Sequence, residues 1–221
     1  MMSGYRQLFS LCLLYALALP LQAAEIDKSD LIKVEKGKNT DCVEYYNYKG
    51  ELYCSTKASR LQNPPGDLES MEMQTIVFDD REWKAAWGQK TDSITTTEYI
   101  PQGDNIEKWQ ELVTSQFIPG IQDKMTPKEF SQNVMKYLKE SGLDPVIQVI
   151  SESPDRVLFE FQVMEPENLK QDELQLITKG KDGMYVLHYV IKEAPMDKER
   201  REKWIKLLNQ SKPEKPQIKV E

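Results

Sequence analysis

The chain has 221 residues, a formal net charge of −7 and 39% hydrophobic content, which suits one folded domain of ordinary size or two small ones. An acidic chain lacks the basic face that nucleic acid needs and is a poor electrostatic match to anionic lipid. Three cysteines and a single histidine leave few soft ligands for a structural zinc site.

Residues 1–24 read as a secretory signal peptide. Arg6 is the only charged side chain of a short leading region, an apolar run extends from Leu8 to Leu19, Pro20 breaks it, and Leu21-Gln22-Ala23-Ala24 offers small residues to a peptidase. An uncleaved anchor would need about 20 predominantly apolar residues without the Pro and the cleavage-like end. Cys12 sits within the apolar run and lacks a small residue just before it, which argues against a lipoprotein. The expected location is periplasmic or secreted. Cleavage leaves a slightly more acidic chain, because Arg6 departs and every Asp and Glu lies beyond residue 24.

Cleavage also leaves two cysteines, Cys42 and Cys54, around a hairpin-like stretch that turns near Tyr48-Lys49-Gly50-Glu51. In an oxidising compartment these predict a disulfide, worth about 2–3 kcal/mol by chain entropy. Free or redox-active thiols are the alternative, although a redox pair usually has two intervening residues. Residues 25–70 read as a lead-in carrying this hairpin, with Leu31, Ile32 and Val34 either a short strand or part of a flexible segment. Asn63-Pro64-Pro65-Gly66-Asp67 breaks the chain ahead of the main body, residues 71–210.

In that body, Met71, Met73, Thr75 and Val77 alternate with Glu72, Gln74, Ile76 and Phe78, a strand pattern. Trp83–Trp87 and Ile94–Ile100 predict a hairpin turning near Gln89-Lys90-Thr91-Asp92. Asp104 and Glu107 then read as a capping box, and Ile106, Trp109, Leu112, Val113 and Phe117 as one face of a helix ended by Pro119-Gly120. A second helix is announced by Thr126, Pro127 and Glu129, buries Phe130, Val134, Tyr137 and Leu138, and stops at Gly142. Strands follow at Val146–Ile150, Val157–Met164, Leu174–Lys179 and Met184–Ile191, with turns at Ser153-Pro154-Asp155 and Gly180-Lys181-Asp182-Gly183. Pro195–Gln210 predicts a closing helix with Trp204, Leu207 and Leu208 inward, and the Lys/Pro/Glu-rich residues 211–221 read as disordered. The expected fold is α+β, an antiparallel sheet packed with about three helices.

Trp87 before the hairpin, Glu98-Tyr99-Ile100-Pro101-Gln102-Gly103-Asp104 leading into a Trp109-bearing helix, and a closing helix with Trp204 together resemble the Mog1/PsbP-like α/β/α sandwich over Met71–Gln210. The pattern is also similar to small exported bacterial proteins of unassigned function. The resemblance implies an accessory or interaction protein rather than an enzyme.

Direct signs of chemistry are sparse. His188 shares a strand face with Val186 and Val190, the place of a half-buried residue bonded to a neighbour. The nucleophile-elbow pattern G-x-S-x-G is absent. The acid pairs Asp79-Asp80, Glu165 with Glu167, and Asp172-Glu173 lie beside turn signals, where acids are solvated by default, and no EF-hand or zinc-protease spacing joins them. No cofactor or metal is indicated. Trp83, Trp87, Tyr99 and Trp109 cluster in sequence, with Trp83, Ala85 and Trp87 on one strand face. They serve either as core or as an aromatic recognition face. The leading expectation is therefore an exported, non-enzymatic envelope protein that binds an envelope protein or a small ligand. The alternatives are a secreted hydrolase using dispersed carboxylates and His188, and a carrier of lipid or another hydrophobic ligand with a cavity beneath its helices.

Overall fold

A computed structural model of the protein describes residues 31–33, 44–48, 51–55, 68–140 and 142–213. The chain divides into two compact units, residues 1–63 and 64–221. In the first, β1 (Leu31–Lys33), β2 (Glu44–Tyr48) and β3 (Glu51–Ser55) form an antiparallel sheet in the order β1-β3-β2. Tyr48 pairs with Glu51, so the hairpin turns where expected. Cys54 stands opposite Tyr45 in register. The signal segment and Cys42, and with it the Cys42–Cys54 pair, lie outside the described residues.

The second unit is built on β4 (Trp83–Lys90), β5 (Thr95–Pro101), β6 (Glu111–Pro119), β7 (Val146–Ser153), β8 (Arg156–Val163), β9 (Gln171–Lys179) and β10 (Gly183–Ile191). They form one antiparallel sheet in the order β4-β5-β6-β10-β9-β8-β7. Two α-helices accompany it among the described residues, α1 (Pro127–Glu140) and α2 (Lys198–Gln210). The fold is therefore β-rich with few helices, which corrects the expected α/β/α sandwich with about three.

The missing helix is the one expected after Asp104. A single 3-10 turn, Ile106–Lys108, is capped by Asn105 rather than Asp104, and the chain then enters β6. β6 runs between β5 and β10, and Leu112–Gln116 are buried without interruption. A strand covered on both faces carries apolar side chains on both alternating sets, and Leu112, Val113 and Phe117 then mimic helical spacing.

A second correction concerns residues 71–78. They form no strand, only a single bridge between Thr75 and Lys212. Burial does not follow the expected alternation: Glu72 and Gln74 are buried along with Met71, while Met73 is exposed. Lys212 exchanges both backbone bonds with Thr75, at 2.9 and 3.0 Å.

α1 forms where its local code puts it. The Thr126 hydroxyl accepts from the Glu129 N–H at 3.2 Å, the Glu129 carboxylate accepts from the Thr126 N–H at 2.8 Å, and Gly142 takes φ +77°. α2 starts three residues later than the expected Pro195, with Asp197 accepting from the Arg200 N–H at 2.9 Å.

Strand alternation sorts the sheet into two faces. On one, Tyr99, Val113, Leu158, Leu174, Leu187 and Tyr189 pack with Trp204 and Leu208 of α2. On the other lie Val157, Phe159 and Phe161, beside α1, whose Lys128 donates to Glu152 next to Val157 at 2.7 Å. Gly88 lets the segment before the sheet approach β4, since a Cβ there would sit 3.0 Å from Leu68 and 3.2 Å from the Thr96 carbonyl.

Candidate functional site

The one histidine marks a polar cluster inside the α1 face. Register places Glu98, Thr114, His188 and Gln175 side by side across β5, β6, β10 and β9. Glu173 and Gln171 follow on the same face of β9, and Gln116 on the same face of β6. His188 is 2% exposed, so it is fully buried rather than half-buried.

Its Nδ1 lies 2.8 Å from Glu173 Oε1, and its Nε2 lies 3.1 Å from Gln116 Oε1. The Gln175 amide donates to Glu173 Oε1 at 2.8 Å and the Gln171 amide to Oε2 at 3.1 Å. Glu173 thus accepts from an imidazole and two amides. Burial of a carboxylate is tolerated when its lone pairs are filled in this way. These buried carboxylates also correct the expectation that Asp172-Glu173 is solvated: strand β9 begins at Gln171, so both acids sit in the sheet rather than at a turn.

An imidazole oriented by a carboxylate is the arrangement that prepares a general base. Here the far nitrogen meets an amide oxygen instead of a nucleophile or an opening. Thr114, directly opposite His188, is buried, and its hydroxyl has no partner among the described residues. The imidazole and the Glu173 carboxylate are engaged with each other and with glutamines inside the sheet. Among the described residues no set of three or more His, Cys, Asp or Glu is placed to hold a metal ion.

The α2 face carries two further networks. Glu72 accepts from the Tyr99 hydroxyl at 2.7 Å and the Ser115 hydroxyl at 2.6 Å, while Gln74 donates to Ser115 at 2.8 Å. Burial, and then Glu72 beside it, push the Tyr99 phenol up. At the sheet end, Arg81 holds Glu111 through two bonds of 2.7 and 2.9 Å and also grips Asp79. Burial would raise the Asp79 carboxyl, but bonds from Arg81 and the Trp83 indole outweigh it and hold it at about 2.

The four aromatic residues singled out in the sequence do not share one face. Trp83 and Tyr99 belong to the α2 face, where Phe78 stacks on Trp83 at 5.4 Å and tilts against Tyr99 at 5.2 Å. A bulge separates Ala85, opposite Tyr99, from Trp87, opposite Glu98. The extra residue turns Trp87 to the α1 face. Trp109 joins that face too, buried with Ile100, Leu112 and Val190 beneath the Lys192 ammonium, 4.5 Å from its ring. Trp87, Tyr99 and Trp109 are all buried, and Trp83 partly so.

Sequence reasoning missed the glutamines of β6 and β9 and the acids Glu72, Glu98 and Glu173 as core residues. The available signal was the position of Glu72 and Glu98 inside strand-length runs; Glu173 was read as an acid beside a turn, and Gln116 lay within an expected helix.

A model of one protein family matches residues 72–182, about half of the chain. The chain belongs to this uncharacterized family. The matched stretch takes in Glu72, the strands from β4 to β9, α1 and Glu173, and ends in the hairpin before His188 and α2. No curated protein matches the chain.

Proposed function

We propose that the chain is an exported, non-enzymatic protein of a bacterial envelope that binds an extended segment of a protein partner along β7. The observation that carries this reading is the state of that strand. β7 is the outer strand of the seven, and among the described strands it pairs with β8 alone. Val146 and Val149 are 60% and 47% exposed, and no Lys, Arg or Pro interrupts Val146–Ile150. Natural edge strands usually carry such interruptions because an open row of backbone donors and acceptors recruits another strand. A bulge between Val149 and Ser151 shifts the register with β8, and the first half of the strand, Val146–Val149, pairs without interruption. One short strand is far below the about 20–30 residues a side of a stable protein interface, which favours an added peptide strand over a second copy of the chain.

Support for a non-enzymatic role comes from the His188 cluster, whose imidazole and carboxylate are engaged with each other and with glutamines. The export part rests on the sequence of residues 1–24.

The test is selection of peptide ligands from a random library on the purified chain, with Val149→Lys and Val146→Lys as controls. Extended peptides with alternating apolar residues that bind the wild type and lose at least tenfold in affinity to either variant support the reading. Binders indifferent to both variants, or a concentration-dependent dimer abolished by them, overturn the peptide assignment. Recovery of a chain that keeps residues 1–24 in the cytoplasm overturns the export part.

A further inference from the structure

Asp172 lies at the start of β9 on the α2 face, opposite Gln162 of β8 and Ile191 of β10. It is 0% exposed. Its Oδ2 accepts from the Met196 N–H at 2.7 Å and from the Gln162 amide at 2.9 Å. Its Oδ1 has no partner among the described residues. Met196 directly precedes Asp197, the cap of α2. One carboxyl group thus holds the entry to the helix while keeping one oxygen unfilled in the core.

The neighbouring charges sharpen this. Glu160 of β8, also buried, receives both its bonds from Arg201 of α2, at 2.7 and 2.9 Å. Two buried carboxyl groups therefore face α2 with one guanidinium between them. In the same row of the sheet, Glu111 of β6 is bonded to Arg81 and Tyr189. On the segment between β10 and α2, Glu193 and Asp197 pair with Arg200. None of these supplies a second cation to Asp172.

We infer that Asp172 is a proton-operated latch on α2: protonated, it seats Met196 and the helix that follows, and ionised, it places a second buried negative charge, without a cation of its own, beneath the helix and loosens it. The proton has a vacant place on Oδ1 while Oδ2 keeps both of its bonds, so the docked geometry accommodates the neutral acid without rearrangement.

The direction follows from linkage. Burial, with Glu160 adding to it, raises Asp172 to about 6, against the opposing Met196 and Gln162 bonds and Arg201. With α2 undocked the group is solvated and titrates near the ordinary value of about 3.9. A raised carboxyl contributes stability that is fully present below the undocked value and declines as pH rises through the docked one. The seat of α2 is accordingly tighter at pH 5 than at pH 7.

Hydrogen exchange of the full chain, corrected for intrinsic rates, reads this latch. The α2 amides should open about tenfold more readily at pH 7 than at pH 5, while the central strands β9 and β10 keep their protection. Asp172→Asn should remove the pH dependence and keep α2 protected at pH 7. Glu160→Gln leaves Arg201 to Asp172 and should move the midpoint to lower pH. Unchanged α2 exchange between pH 5 and 7 in the wild type overturns the inference, as does the same pH dependence in Asp172→Asn. If Asp172→Asn does not fold, an unmoved midpoint in Glu160→Gln overturns it alone.

Discussion

Trp204 of α2 lies flat on Tyr189 of β10, ring centroids 3.8 Å apart and planes 11° from parallel. Trp83 meets the same indole edge-on at 5.5 Å and 80°. Through these rings the closing helix is seated on the middle of the sheet and on its β4 edge at once. The Tyr189 hydroxyl continues to Glu111 at 2.8 Å, so the stack is tied to the Arg81 network. Trp204→Ala removes the stacked ring from a fully buried site and should cost about 3–5 kcal/mol, measured as a shift of the urea midpoint. Trp204→Phe keeps a ring on Tyr189 and should cost clearly less.

His188→Gln separates the structural from the catalytic reading of the α1-face cluster. Losing the bond to Glu173 in the interior should lower stability by about 1–3 kcal/mol. A hydrolase relying on His188 predicts the opposite pattern, lost activity with unchanged stability. Thermal unfolding beside an assay against ester and glycoside substrates tells the two apart.

Asp79 should govern part of the acid limb of the stability curve. Its carboxyl is held at about 2, below its ordinary value. A depressed carboxyl contributes stability above the unfolded value that disappears as pH falls through the folded one. The loss should therefore run from about pH 4 down to pH 2 and amount to about 1 kcal/mol, discounted for the solvent screening of its partly exposed partner Arg81. Asp79→Asn should flatten that limb in an acid titration followed by circular dichroism.

Gly183→Ala tests the close approach of β10 to β6. A Cβ at that position would lie 2.6 Å from the Ile118 carbonyl and would press on the Phe117 ring. Backbone oxygen cannot swing away as a side chain does, so a loss of about 1–3 kcal/mol is expected, with faster amide exchange at the Gly180–Gly183 turn. A neutral result would show that the hairpin shifts freely.

Much of the local structure was legible in the sequence, and one helix shows why. Thr126, Pro127 and Glu129 find their partners within three residues, and Gly142 needs only its own backbone freedom, so α1 could be read directly. The same holds for the turn at Gly180–Gly183, where the Gly180 N–H bonds the Gly183 carbonyl at 2.9 Å. Glu111–Pro119 was illegible for the opposite reason. Its periodicity suits a helix, and its place between β5 and β10 is decided by residues more than a dozen positions away on either side.

The candidate site was less legible still. The sequence grouped Trp83 with Trp87, and a bulge beside Ala85 sends them to opposite faces. It placed Asp172 and Glu173 in solvent, and β9 buries both, Glu173 against His188 and Asp172 against Met196. The sequence by itself determined the acidic balance, the helix caps and the hairpin turns, because charge is additive and those bonds close over a few residues. Only the tertiary structure decided which acids are core, which aromatics share a face and that the chain is β-rich, because a strand's environment belongs to the neighbours on both its sides.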